Sequence, residues 1–157
     1  MIPTRAFRPI HIAVLLSVGC AIAAPAAAPS PAAIVAARQA GFKKIGGAMK
    51  VLKDQLASGA PVKATMVAAA QTVAAGAKEQ AKLFPAGSGA SSGVKNDALP
   101  SVWSDRAAFD AAMQKFIVES GKLVTVANGG DAAAIGAQFK ATGGTCGACH
   151  RQFRAEQ

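Results

Sequence analysis

The chain has 157 residues, 52% of them hydrophobic, with 17 Lys and Arg against 8 Asp and Glu and a formal net charge of +9. That length allows one domain with one core. The basic residues are scattered, with no aromatic–basic interleaving, so a nucleic-acid interface is not expected; the charge reads as solvated helix faces, with steering of an acidic partner as a second use.

The first stretch reads as a leader. Arg5 and Arg8 precede an apolar run from Ile10 to Ile22, interrupted by His11 and Ser17, and Ala21-Ile22-Ala23 has the small-x-small form of a cleavage site. The run is too short to span a bilayer. A secretory signal peptide over residues 1–23, cut after Ala23, is the expectation; a membrane anchor and a lipid-modified Cys20 are the alternatives. Residues 24–157 then form the working domain. Arg5 and Arg8 leave with the leader, so 15 basic minus 8 acidic residues give +7. Cys20 and His11 leave too. Two cysteines remain, too few for a disulfide framework, and His150 is the one histidine left.

The mature stretch divides into four helical segments. Ser30-Pro31 opens the first, with Pro tolerated in a first turn, and Gly59-Ala60-Pro61 closes it. The second runs from about Val62 to Leu83. A Gly-, Ser- and Pro-containing segment follows from about Phe84 to Trp103. Ser104 is the expected N-cap of the third helix, which ends near Asn128-Gly129-Gly130, and Asp131 caps the fourth. Residues at alternating spacings of four and three mark the inner faces. Ile34, Arg38, Phe42, Ile45, Met49, Leu52 and Leu56 lie on the first; Phe109, Met113, Phe116, Ser120, Leu123 and Ala127 on the third; Ile135, Phe139, Thr142, Cys146, Cys149 and Phe153 on the fourth. This is the seam of an all-α, antiparallel four-helix bundle. The long loop holds Trp103, the one tryptophan; it reads either as a cover over a cofactor edge or as a mobile connection with Trp103 packed at the start of helix three.

Cys146-Gly147-Ala148-Cys149-His150, seven residues before the sequence ends, is the pattern that joins haem through two thioethers while the adjacent His ligates iron. A thioredoxin-like pair would follow a strand, and none is expected here. A zinc site needs a fourth ligand or a water, and three such closely spaced side chains fit one tetrahedral ion poorly on a regular helix. On a helix Cys146 and Cys149 are neighbours on one face, with His150 four residues from Cys146. One covalent haem c, held by Cys146 and Cys149 with His150 on the metal, is therefore expected inside the bundle. Export fits, since c-type haem is attached outside the cytoplasm. Arg38 is the second informative residue. A charged group on an inner face is costly unless paired; it either meets a haem propionate or snorkels to water at the bundle's end.

Arg38-Gln39, Phe42-Lys43, Ile45-Gly46-Gly47, Leu83-Phe84-Pro85, Pro100-x-x-Trp103 and the terminal Cys-x-x-Cys-His-x-x-Phe-Arg together resemble cytochrome c′, the class II c-type cytochromes. The resemblance covers essentially the whole mature chain, and the terminal motif is its specific part. It implies a periplasmic four-helix bundle with Arg38 and Gln39 by the propionates. It makes Ser88, in Gly87-Ser88, a weaker haem contact, because Gly89 stands where the family usually has an acidic residue. It leaves a homodimer open, with helix one supplying much of the contact. Low-spin members carry a methionine ligand four residues after the Arg. That residue is Phe42 here, which cannot ligate, so the resemblance implies five-coordinate iron with Phe42 over its open side. Met49 then reads as core filling. Arg154, four residues after His150, is either a neighbour of the proximal face or a surface charge at the helix end.

Two roles follow: binding of NO and CO at open iron, and one-electron transfer with an unidentified redox partner protein. The alternative is a low-spin, six-coordinate carrier with a Met ligand. With His150 spent on iron and an apolar ring opposite, nothing is expected to act as a distal acid or base, so enzymatic turnover is not expected.

Overall fold

A computed structural model describes residues 28–156. The expected leader, its cleavage after Ala23 and Cys20 lie outside the described residues. Among the described residues there are five α-helices, a one-turn 3₁₀ helix and no strand.

Helix α1 (Pro31–Ala57) starts where Ser30 accepts a hydrogen bond from Ala33 N at 3.2 Å, with Pro31 in its first turn. It ends before Gly59-Ala60-Pro61, where Gln55 Oε1 accepts from Val62 N at 2.7 Å and turns the chain back. Helix α2 (Lys63–Gln80) ends three residues earlier than expected. Residues 81–83 leave the helix as a turn because Phe84 must dive inward, to 6% exposure. A separate one-turn helix, α3 (Ser101–Ser104), precedes α4 (Arg106–Gly129). Ser104 is thus the last residue of α3 and not the expected cap. Asp105, at φ −120° and ψ 58°, breaks the chain there and accepts from Ala108 N at 3.3 Å. Gly130, at φ +84°, supplies the left-handed stop of α4. Asp131 then caps α5 (Ala132–Phe153) by accepting from Ala133 N and Ala134 N.

The four long helices form an antiparallel bundle in which α1 packs on α2, α2 on α4, and α4 on α5. The main core gathers Ile45, Leu52, Met66, Val73, Phe116, Leu123 and Ile135. A second, aromatic cluster of Phe84, Val102, Phe109, Met113 and Phe153 fills the end where α5 finishes.

The segment between α2 and α4 is fastened rather than mobile. Trp103 Nε1 donates to Pro85 O at 2.9 Å, and its ring lies on Gly89, where a Cβ would stand 2.7 Å from Trp103 Cζ3. Leu99 N donates to Phe153 O and Ala155 N to Asp97 O, so the segment is also tied to the end of α5.

Candidate haem site

Helices α1 and α5 pack on one another far less than the other neighbouring pairs do. Glycines mark their contacts: a Cβ on Gly136 would stand 4.0 Å from Leu56 Cδ2, and one on Gly143 would stand 3.9 Å from Met49 Cε. The two contacts are seven residues apart on each helix, which fixes an antiparallel register. One further heptad brings Phe42 level with His150 on the same facing line. There the helices do not close. The Phe42 ring is 36% exposed, and its aromatic neighbour is Phe84, edge to face at 6.4 Å, rather than anything on α5.

On α5, Cys146 and Cys149 are free, half-buried thiols. Burial, first of all, raises the pKa of both, so they rest protonated at neutral pH. The His150 imidazole is exposed, with no hydrogen-bond partner among the described residues. Desolvation, then the nearby charge of Arg154, lowers its pKa and favours the neutral ring that ligates metals. Among the described residues no three His, Cys, Asp or Glu side chains converge on one metal position. Two thiols and an imidazole on one helix, without a shared focus, fit a porphyrin anchored at two points and ligated beside them better than they fit a single bound ion.

Arg38 is only 4% exposed, so it does not snorkel. Its Nη1 donates to Leu83 O at 3.3 Å and Ser88 Oγ at 3.5 Å. Its Nη2 donates to Ser88 O at 3.0 Å and Asn96 Oδ1 at 3.2 Å. All four acceptors are neutral, and the guanidinium lies 4.5 Å over the Phe84 ring. Burial lowers its pKa, but an arginine keeps its charge. Next to it, exposed Gln39 donates to Lys95 O at 3.2 Å. Arg38, Gln39 and Ser88 therefore meet, and together they clasp the loop to α1. Ser88 is 1% exposed and follows Gly87, whose φ of +79° suits a residue without a Cβ.

Arg154 stands apart from that group. It caps the end of α5, half exposed, with Nη2 3.9 Å from Asp97 Oδ2, and it lines an open recess with His150, Arg151, Ala155 and Glu156. Two further residues belong to the site, and neither is singled out as a site residue by the sequence. Asn96 receives Arg38 and donates to Val94 O at 2.8 Å and Gly89 O at 3.3 Å. Phe84 underlies Arg38 and faces Phe42. An Asn in a Gly- and Ser-rich stretch is a turn signal, but nothing local says which residue it will receive.

The family model described as Cytochrome C' matches residues 33–154. This chain belongs to the cytochrome c′ family. Its relatives include a cytochrome c′ of Rhodospirillum rubrum, 33% identical over 132 residues, which span 83% of this chain and 88% of that protein. A solved cytochrome c′ with a ligand-controlled dimer dissociation superposes with a TM-score of 0.77 at 28% identity, covering 83% of this chain and all of that one. A ferrous cytochrome c′ variant from Alcaligenes xylosoxidans with bound NO superposes at 0.74 with 25% identity, covering 82% of this chain and 98% of that one. The cofactor of a cytochrome c′ is covalent haem c, and the donor set on α5 fits it. Among the described residues, no helix is long and apolar enough to cross a membrane.

Proposed function

We propose that this cytochrome c′ is a periplasmic haem protein whose five-coordinate iron binds NO and CO, and that it also passes single electrons to a redox partner. Cys146 and Cys149 carry the haem and His150 ligates its iron. Arg38 and Gln39 stand at the propionate side with Ser88 behind them, and Arg154 flanks the proximal side. The haem supplies the metal position that a small gas occupies; the chain decides what stands opposite it.

The observation that carries this reading is the register between α1 and α5. It sets Phe42, which has no ligating atom, level with His150. The methionines do not compete. Met49 lies one heptad away over Gly143, Met66 is 1% exposed in the main core, and Met113 is 3% exposed in the aromatic cluster. A ring at that position obstructs incoming ligands and gives them no hydrogen bond. That favours NO, which binds iron strongly without one, over dioxygen. The NO adduct of the Alcaligenes relative agrees with this chemistry.

Optical spectra of the holoprotein test it. The expected result is a high-spin spectrum whose Soret band moves on adding CO or NO to the ferrous form. Sharp low-spin bands without a response to CO would restore a sixth protein ligand. Location has its own readout: protein from periplasmic extracts is expected to begin at Ala24, and a full-length chain confined to the cytoplasm would contradict export.

A further inference from the structure

Helix α2 ends at Gln80. Gln80 is 2% exposed, and its Oε1 has no hydrogen-bond partner among the described residues. An orphaned buried amide oxygen is costly, so the group calls for a reason. Its surroundings are built for it. Gly41 on α1 leaves a notch there, and a Cβ at that position would overlap Gln80 Nε2. The notch lies on a regular line between α1 and α2. Ile45 sits against Gly76, Gly41 against Gln80, and Arg38 donates to Leu83 O. Gly41 directly precedes Phe42, about 1.5 Å along the helix axis. The Gln80 amide therefore stands at the level that Phe42 and His150 share, on the α1 side of the bundle.

We propose that Gln80 is the polar residue of the gas-binding side. Its side-chain amide turns its N–H to the outer atom of a diatomic gas at the iron, or its Oε1 to a bound water. This deepens the open-iron reading and rests on it. On α1, Phe42 at that level is apolar; one turn away on either side stand apolar Ile45 and Arg38, whose four hydrogen bonds are committed to neutral acceptors. An amide offers both a donor and an acceptor and exchanges them by a half-turn. It therefore offers a bound ligand the hydrogen bond that the Phe42 ring does not. Gln80 would add one donor to a side from which none is expected on sequence grounds.

Infrared spectra of the ferrous holoprotein under CO test the proposal. A donor near the gas lowers the C–O stretch, so Gln80→Leu is expected to raise it. Gly41→Ala, which fills the notch and pushes the amide aside, is expected to shift it the same way. A merely structural Gln80 would change the melting temperature and leave the stretch unmoved. If Gln80→Leu does not yield folded holoprotein, Gly41→Ala decides alone. Coincident stretches in wild type and the variants overturn the Gln80 role while leaving open iron intact. A wild-type haem that takes no CO overturns both.

Discussion

The two ends of this bundle are made from the same four helices, yet one is closed and the other parts. Toward the α1–α2 turn, small residues let the helices meet. Gly136 lies under Leu56 and Gly143 under Met49, while Leu52, Leu123, Ala127 and Ile135 are fully buried. Toward the end of α5, the residues on the same heptad line are Phe42 and His150, one half-exposed and one exposed. The closed end is held by apolar area and close packing. The open end is held by a loop, and that loop by a buried arginine on neutral oxygens. Stability and site are thus assigned to different stretches of the same helices, and a change in one end should register differently from a change in the other.

The largest expected effect is in the closed end. Leu52→Ala deletes a side chain with no exposure and should cost about 2–5 kcal/mol, seen as an earlier urea midpoint, with the spectrum of the folded fraction unchanged. A spectral change there would mean that the ends are not separable. Arg38→Met should cost less, about 1.5–3 kcal/mol for its charge-assisted hydrogen bonds, and should leave a different mark. Freed from Arg38, residues 84–96 should become the first site of limited proteolysis, while the same protease leaves the wild-type loop intact. Cutting unchanged by the substitution would show that Trp103 and Arg106 hold the loop without Arg38. Asp131→Ala removes an exposed cap remote from the site and should cost about 1 kcal/mol, with neither a spectral change nor new cleavage.

Much of this was legible in the sequence because it is local. Ser30-Pro31 opens α1 and Asp131 caps α5 as expected, since a helix start is decided within a few residues. The motif from Cys146 to His150 is also local, and the apolar stripes gave the bundle. The start of the third long helix was misjudged by one residue. Ser104 and Asp105 are both good caps, and Pro100 starts an extra helical turn that ends between them. Arg38 was readable as an unusual buried cation but not for what it holds, because its partners lie 45 to 58 residues away in a loop without periodicity. Gln80 and Gly41 were invisible for a related reason. Each is unremarked on its own helix, and only the register of α1 against α2 shows that one fills the notch left by the other.

If Phe42 faces the iron position across from His150, as proposed, Phe42→Met places a thioether ligand there. This holoprotein is expected to turn low-spin in the ferrous form and to lose its response to CO, because a thioether then stands where the ring stood. A Phe42→Met protein that stays high-spin and binds CO as the wild type does would contradict that placement of Phe42.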